Sequence, residues 1–365
     1  MKKKIVIASV LKPVDDVRAY WKLSQSMAKT NKYEVNIIGN SGKKQSAEEN
    51  ILFHTHTIKR SNWIKRALIR GSILIKILKI RPKLLIISTH ELIMIALIGK
   101  IFTGCKLIYD VQENYSRNLA HINSSIFRKS LATIVRCKEN ISKLFIDQYW
   151  LAESCYLDEL PFSRKNYLVV ENKALFFEFK QRDHQPMKML FSGTISEYGG
   201  VRKAIDLFKK IQGIEADSTL TIIGQIHDQK LRKWLTGLQQ EYPTLELNIA
   251  TKAIPYEEIL KSITQANLGV IGYKPALANK NKIPTKLYEY SRYQLPYVVQ
   301  ENTTWSGVGI NLGGAIPIEL SNPDVNHIFK KLNNPAQLFP NSYPNEATWE
   351  AESIKVISSL ESLIN

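Results

Sequence analysis

The feature that most constrains the fold is a repeated alternation of short apolar runs with longer helical patterns. In the first half of the chain the apolar runs have the length of buried strands; they are Lys4–Val10, Tyr33–Gly39, Leu84–Ser88, Lys106–Val111, Tyr149–Glu153 and Tyr167–Glu171. The segments with helical spacing are Asp16–Thr30, Glu91–Phe102 and Asn123–Gln148. Because this order is typical of βαβ units, it predicts a parallel, doubly wound sheet.

The same alternation restarts after a polar stretch from Asn172 to Pro186, which we interpret as a linker. Its predicted strands are Met187–Ser192, Leu220–Gly224, Leu245–Ile249, Leu268–Gly272 and Pro296–Val299, and its predicted helices are Val201–Gln212, Asp228–Glu241, Tyr256–Gln265 and Pro284–Tyr293. The predicted fold class is α/β, with two tandem Rossmann-like domains at residues 1–172 and 187–347 and an interdomain cleft that binds ligands. A last helix, within residues 348–365, is expected to cross back and pack towards the N-terminal domain.

The net charge of +17 is unevenly distributed along the 365 residues. Residues 1–175 contain 30 basic and 14 acidic residues, whereas residues 176–365 contain 20 and 19. A cationic half implies an anionic partner, which could be a membrane surface, nucleic acid or a phosphorylated substrate. The three cysteines form no CxxC pair, which excludes a thiolate zinc site and a disulfide framework and indicates a reducing, cytoplasmic compartment.

The densest basic segment runs from Lys59 to Lys83 and contains nine basic residues and no acidic one. Helical spacing places an apolar stripe between these charges; its members are Trp63, Ile64, Ala67, Leu68, Gly71, Leu74, Ile75 and Leu78. This pattern is typical of a helix that lies on an anionic membrane surface. A helix packed on the core, with a solvated basic face, fits the pattern equally well. Nucleic acid is not expected as a partner, because no nucleic-acid-binding motif accompanies the charge.

The segment from Asn279 to Tyr290 has the strongest candidate site. Lys280, Lys282 and Lys286 crowd the predicted start of a helix whose first residue is expected to be Pro284. Because the positive end of a helix dipole disfavours cations, this arrangement predicts a bound anion such as a diphosphate. Glu289, one turn further, could accept hydrogen bonds from ribose hydroxyls. The alternative is an exposed lysine-rich loop in front of an ordinary helix.

Weaker candidates follow other predicted strands. Gly193 begins a small-residue loop that could approach a phosphate, although every α/β protein has such turns. In the N-terminal half, the segments Ser88–Glu91 and Tyr109–Asn114 place polar side chains at neighbouring strand ends, which suits acceptor binding and proton handling. Asp16 and Arg18 could form a helix cap or contact an acceptor.

These motifs, in this order, resemble those of GT-B glycosyltransferases, most closely the bacterial family 4 type. The resemblance rests mainly on Pro284–Tyr290 followed by Leu295–Val299. It implies a donor-binding group that comprises Gly193, Thr194, Gly224, Thr285, Lys286, Glu289 and Tyr290, in which Lys286 holds the diphosphate and Glu289 the ribose. It implies catalytic roles for His90, Glu91 and Glu113, and acceptor contacts by Asp16, Arg18 and Asp110.

The activity that this resemblance implies is retaining transfer from a nucleoside-diphosphate sugar, with no cofactor and no required metal. With the basic segment 59–83, it points to a lipid-linked glycan acceptor at the inner face of the plasma membrane, as in capsule or O-antigen assembly. Thr194 and Asn281 stand where the family usually has Arg and Glu. Two alternatives therefore remain: a non-catalytic membrane-associated scaffold with a decayed donor site, and a sugar-nucleotide 2-epimerase of the same fold.

Overall fold

The computed structural model describes residues 2–42, 47–58, 63–121, 126–160, 166–178, 186–273, 281–339 and 343–364. The chain divides into two compact units. The first unit contains Met1–Asn172 together with Trp349–Asn365, and the second contains Lys173–Thr348. Each unit is built on its own parallel sheet, which confirms the predicted α/β class.

The first unit contains a seven-stranded sheet with the order β3-β2-β1-β4-β5-β6-β7. Its strands are β1 (Lys3–Pro13), β2 (Tyr33–Asn40), β3 (Ile51–His56), β4 (Leu84–Ile87), β5 (Lys106–Val111), β6 (Gln148–Leu151) and β7 (Tyr167–Val169). Its helices are α1 (Gln25–Ala28), which continues a π-helical segment (Val17–Ser24), then α2 (Trp63–Ile80), α3 (Ile93–Thr103), which follows a 3₁₀ turn (His90–Leu92), α4 (Tyr115–His121), α5 (Ile126–Ser142) and α6 (Tyr156–Glu159).

Helices α2, α3 and α5 cover the same face of this sheet. Ile77 of α2 and Ile93 of α3 belong to one buried apolar cluster with residues of β1, β4 and β5. Tyr109, in the same cluster, donates a hydrogen bond to Glu139 of α5. Right-handed crossovers place successive helices on one face in this way. The carboxyl ends of β1, β4 and β5 therefore lie side by side at one edge of the sheet.

The second unit contains a six-stranded parallel sheet with the order β10-β9-β8-β11-β12-β13. Its strands are β8 (Lys188–Ile195), β9 (Thr219–Ile226), β10 (Leu245–Ala250), β11 (Leu268–Ile271), β12 (Tyr297–Gln300) and β13 (Ala315–Ile318). Its helices are α7 (Val201–Gln212), α8 (Gln229–Glu241), α9 (Tyr256–Gln265), α10 (Thr285–Arg292), α11 (Thr304–Leu312) and α12 (Val325–Leu332), with 3₁₀ turns at Pro335–Leu338 and Asn345–Ala347. The last helix of the chain, α13 (Trp349–Ile364), lies in the first unit, where the Trp349 indole N–H donates to Ser26 Oγ.

Several elements differ from the sequence predictions. Strand β3 was not predicted because it is a half-exposed edge strand in which His54 and His56 interrupt the apolar pattern. The helix predicted over Asn123–Gln148 ends earlier, since α5 stops at Ser142 and β6 already begins at Gln148. Its first residues, 123–125, lie outside the described residues, as do residues 179–185 of the predicted linker. No helix in the described part of the chain combines the length and apolarity that a membrane span needs.

Candidate functional site

Two glycines meet where the central strands of the second unit end. Gly193 of β8 and Gly224 of β9 are opposite each other in the register of the sheet. Their φ angles are +99° and +154°, a region that L side chains rarely adopt. A Cβ atom at Gly224 would lie 1.7 Å from the carbonyl oxygen of Gly193. The close approach of the two strand ends therefore requires glycine at position 224.

Lys286 lies against this glycine pair. It is the second residue of α10, which begins at Thr285, so Pro284 is the N-cap residue and not the first helical residue as expected. A Cβ atom at Gly193 would lie 3.0 Å from Cε and 3.2 Å from Nζ of Lys286. The lysine side chain therefore lies in the space that the missing glycine side chain leaves open.

The buried ammonium of Lys286 forms no ion pair with any of the described residues. Only 6% of the residue is exposed, and Nζ has no hydrogen-bond partner among the described residues. Its nearest aromatic neighbours are the rings of Phe191, 4.9 Å away, and Tyr273, 5.3 Å away. The first turn of α10 contains no acidic residue, and no side chain in the described part of the chain caps its N-terminus. A buried cation beside a free helix N-terminus is an anion-binding arrangement, and a diphosphate fits it.

Glu289 lies one turn further along α10 and is also buried. Its Oε1 accepts a hydrogen bond from the Tyr256 hydroxyl at 3.1 Å. Burial raises the pKa of Tyr256 well above its ordinary value, and the nearby charge of Glu289 raises it further, so the phenol keeps its proton. Tyr256 thus fixes one carboxylate oxygen of Glu289.

Tyr290, predicted to contact a donor, is fully buried. Its hydroxyl is 2.9 Å from Ser192 Oγ, and its ring packs so closely on Gly269 that a Cβ there would lie 2.7 Å from the ring. Tyr290 therefore attaches α10 to β8 and β11. Thr194 and Thr285 are both exposed, at the end of β8 and the start of α10.

The loop in front of α10 is held by α11. The Trp305 indole N–H donates to the Lys282 carbonyl at 2.7 Å, and Thr303 and Ser306 form a capping box at the start of α11. These contacts fix the position at which α10 begins. Lys280, the third lysine of the predicted cluster, lies outside the described residues.

In the first unit, Arg18 and Asp110 form a buried ion pair. Arg18 Nε lies 3.0 and 2.9 Å from the two Asp110 carboxylate oxygens, and Nη2 lies 2.6 Å from Oδ1. The exposed fractions of the two side chains are 3% and 0%. Arg18 Nη1 also donates to the Val170 carbonyl at 2.8 Å. The sequence predicts that both residues contact an acceptor. In this structure they bind each other instead, and their charged groups are not presented to an acceptor.

Asp16 is a helix cap. Its carboxylate accepts the backbone N–H groups of Arg18 and Ala19, which is one of the two roles that the sequence left open. Its other neighbour is Lys12 Nζ, 3.8 Å away.

His90 lies just beyond the carboxyl end of β4. Its ring is 4.7 Å from that of Tyr115, and its Nδ1 has no hydrogen-bond partner among the described residues. Burial is the main reason that the pKa of His90 is lowered to about 4; Glu91 opposes this shift, and the charges of Lys138, Arg66 and Arg70 add to it. At neutral pH the imidazole is therefore uncharged, which suits it to hydrogen bonding and not to holding a positive charge.

The two carboxylates predicted to be catalytic differ in environment. Glu91 is paired with the guanidinium of Arg66 from α2. Glu113 is exposed at the start of α4, where its Oε2 accepts a hydrogen bond from Asn118 at 2.9 Å. Glu113 is thus the more accessible of these two predicted catalytic carboxylates.

No protein-family profile matches the chain, and no curated protein matches it in sequence. Solved structures match it along almost its whole length. Sucrose-phosphate synthase from Thermosynechococcus elongatus has a TM-score of 0.70 at 11% identity, covering 99% of both chains. HepE from Anabaena, in complex with UDP and glucose, has a TM-score of 0.62 at 11% identity, covering 99% of this chain and 100% of HepE.

A third match is a candidate UDP-N-acetylglucosamine 2-epimerase from Listeria monocytogenes, with a TM-score of 0.58 at 10% identity, covering 99% of this chain and 96% of the other. The neighbours include GT-B glycosyltransferases, and the likeness extends over both units. The chain has the GT-B fold.

Within this GT-B chain, the structure adds neighbours that the sequence analysis missed. Tyr256, Tyr273 and Phe191 contact Glu289 or Lys286, and Arg66 pairs with Glu91. Phe191 adjoins the glycine loop and could have been found by proximity in sequence. Tyr256 and Arg66 have no local signal, because each lies more than 20 residues from its partner. Among the described residues, no three His, Cys, Asp or Glu side chains are grouped closely enough to hold a metal ion.

Proposed function

We propose that this chain is a glycosyltransferase that moves a sugar from a nucleoside-diphosphate sugar to a lipid-linked glycan acceptor. The observation that carries the proposal is the ammonium of Lys286, which is buried against Gly193 and has no hydrogen-bond partner among the described residues. A buried, uncompensated cation is costly unless an anion completes the site. The HepE match, a complex with UDP and glucose, supports a nucleoside diphosphate as that anion.

The donor's diphosphate is the leaving group in this reaction. As the bond between the sugar and the diphosphate breaks, negative charge grows on the phosphate oxygens. Lys286 and the free N–H groups of α10 stabilise that charge in a site that is already formed. Glu289, oriented by Tyr256, accepts hydrogen bonds from the ribose hydroxyls. The proposal requires no metal ion and no further cofactor.

The acceptor hydroxyl attacks from the side of the leaving group, so the anomeric configuration is retained. A diphosphate oxygen takes the proton of that hydroxyl. His90, uncharged at neutral pH, orients the transferred sugar by hydrogen bonding, and a His90→Ala variant with full turnover would contradict this role. Glu91, held by Arg66, positions the turn that carries His90, and the exposed Glu113 is available to acceptor hydroxyls.

The charge of the first unit supports the proposed acceptor class. The basic segment 59–83, of which residues 63–83 are described, attracts an anionic surface, and a lipid-linked glycan is presented at such a surface. We place the protein at the cytoplasmic face of the plasma membrane, in the assembly of a capsule or O-antigen polysaccharide.

A second candidate is a sugar-nucleotide 2-epimerase, which the match to the Listeria monocytogenes protein favours. Both activities use the same donor site, so binding alone does not separate them. The purified protein is therefore incubated with a panel of nucleotide sugars, with and without lipid extract, and the products are analysed by mass spectrometry. Sugar transferred to lipid with release of the nucleoside diphosphate supports the transferase.

Two other outcomes contradict the transferase. An epimerised nucleotide sugar that forms without lipid identifies the epimerase. The absence of product together with the absence of nucleotide binding indicates the non-catalytic scaffold. His90→Ala and Lys286→Met serve as the inactive controls, and Lys330→Met, an exposed change on α12, serves as the active control.

A further inference from the structure

The outer layer of the first unit exposes large apolar side chains on three neighbouring helices. Leu68 and Ile75 of α2 are 70% and 56% exposed, and Ile101 and Phe102 of α3 are 69% and 70% exposed. Leu144, two residues beyond α5, is 85% exposed. Helix α2 contacts α3, and α3 contacts α5, so the helices that carry these side chains form one continuous layer of the unit. Apolar exposure on this scale marks an interaction surface.

The exposed residues of α2 belong to the stripe that the sequence analysis singled out. Ile64, Ala67, Leu68, Gly71 and Ile75 are all exposed. The helix packs on the sheet through different residues, Ile73 and Ile77, which are 1% exposed. Helix α2 therefore packs on the core, as the second alternative expects, while much of the stripe faces solvent and its members Leu74 and Leu78 are half-buried.

A hydrogen-bonded link joins the exposed ends of α3 and α5. Lys100 Nζ of α3 donates to the Phe145 carbonyl at 2.8 Å and lies 2.6 Å from Asp147 Oδ2. This link fixes the last turn of α3, which carries Phe102, next to the turn that carries Leu144. The link therefore holds the C-terminal end of α3 against the segment that follows α5.

The charge of the same layer indicates what covers it. Helices α2, α3 and α5 contain ten lysine or arginine residues and one acidic residue, Glu139, which is 1% exposed. The accessible surface of the three helices is therefore apolar and cationic. An anionic lipid bilayer complements both properties, because its headgroups attract lysine and arginine while its acyl boundary accepts apolar side chains. Nucleic acid would leave the apolar side chains in water.

We propose that α2, α3 and α5 together form one membrane-binding face. Ile101, Phe102 and Leu144 insert into the acyl boundary, and the basic residues of α2 and α5 contact anionic headgroups. This inference deepens the proposed function by naming the surface that contacts the membrane, and it extends that surface well beyond segment 59–83. Arg66, which belongs to this face, also pairs with Glu91 beside His90, so the face is continuous with the candidate acceptor residues.

The test measures co-sedimentation of the full chain with vesicles of phosphatidylcholine alone and of phosphatidylcholine mixed with phosphatidylglycerol. We expect binding to the mixed vesicles, and a loss of about tenfold or more in partition for the double variant Phe102→Ser/Leu144→Ser, because insertion of apolar side chains supplies much of the affinity. Ile310→Ser is the matched control, since Ile310 is a similarly exposed apolar residue of α11 in the second unit. All three changed residues are exposed, so the variants should keep the wild-type unfolding temperature.

Three outcomes would overturn the inference. They are no binding to mixed vesicles, equal binding by wild type and double variant, and a wild-type dimer in analytical ultracentrifugation that the double variant loses. The last outcome would assign the face to a second copy of the chain. Calorimetric titration of UDP into the same double variant separates this inference from the proposed function. If the double variant keeps its nucleotide affinity and loses vesicle binding, the inference is supported. If neither protein binds nucleotide, the proposed function is refuted, and the vesicle result alone decides the inference.

Discussion

The side chain of Lys286 occupies the space left open by the missing side chain of Gly193, with contacts of 3.0 and 3.2 Å to a Cβ atom built there. Gly193 is in turn in register with Gly224, whose own missing side chain lets the two strands converge. Three residues from different parts of the chain thereby create one buried positive charge at the end of the sheet. A chain would not be expected to bury such a charge unless it binds an anion.

Lys286→Met should stabilise the ligand-free protein. Methionine keeps the apolar part of the side chain between Phe191 and Tyr273 and removes a buried charge that has no hydrogen-bond partner among the described residues. We expect a gain of about 1 kcal/mol in the free energy of unfolding, since an unsatisfied buried polar group costs about 1–3 kcal/mol and aromatic contacts offset part of it. Urea denaturation of the transition assigned to the second unit measures this. A loss of stability would mean that Lys286 is a structural residue.

Gly224→Ala should strongly destabilise the second unit. The new Cβ would lie 1.7 Å from the Gly193 carbonyl oxygen, at a φ of +154°. We expect a loss of about 3 kcal/mol or more, as for other overpacked and strained positions. Gly237→Ala in α8 is the matched control, because nothing lies within 4 Å of its Cβ position. It should gain up to about 1 kcal/mol from helix propensity. Thermal unfolding of the two variants tests both the expected loss and the expected gain in stability.

Asp110→Asn should destabilise the first unit by about 3–5 kcal/mol, because it leaves the Arg18 guanidinium buried without its counter-charge. The resemblance to GT-B glycosyltransferases implies, instead, that both residues contact the acceptor. Chemical denaturation and acceptor kinetics distinguish the two roles. An Asp110→Asn protein with wild-type stability and a raised KM for the acceptor would restore the original assignment.

Glu139 makes the stability of the first unit depend on pH. Burial raises the pKa of this carboxyl from 4.5 to about 7, although the Tyr109 hydrogen bond and Arg136 lower it in part. Between pH 4.5 and about pH 7, the folded state therefore keeps the proton of Glu139 while the unfolded state releases it. The contribution of Glu139 to the free energy of unfolding consequently falls as the pH rises through this range.

Glu139→Gln removes that ionisation and should gain stability relative to wild type between pH 5 and pH 8, by at most about 3 kcal/mol. Urea titrations at the two pH values measure the difference. Glu241→Gln, at an exposed carboxyl, is the control. A Glu139→Gln protein whose stability difference from wild type is the same at both pH values would contradict the account.

The local patterns of the sequence predicted much of the fold. Val201–Gln212 and Tyr256–Gln265 have the predicted bounds because strong helical periodicity sets both ends. The α11–β13–α12 segment was not predicted, since Ser306, Gly307 and Gly309 interrupt the apolar pattern of α11 and Pro317 lies inside β13. The π-helical start of the first helix was also missed, because periodicity does not distinguish it from an α-helix.

The candidate site, like the fold, could be predicted from the sequence only in part. Lys286 and Glu289 could be found because their signal is local: lysine at a helix start and glutamate three residues later. The orientation of their side chains could not be predicted, because it depends on contacts between residues that are far apart in sequence, such as Tyr256 with Glu289. Arg18 and Asp110 are 92 residues apart, so their pairing appears only in the folded chain, and it changes the role that each residue can have.

Calorimetric titration of UDP, GDP, ADP and CMP into the wild type, Lys286→Met and Lys330→Met tests the central claim most directly. The account predicts that one nucleotide binds preferentially, that Lys286→Met weakens this binding by about tenfold or more, and that Lys330→Met binds like the wild type. Binding that is equal in wild type and Lys286→Met, or no binding of any nucleotide to the wild type, would contradict it.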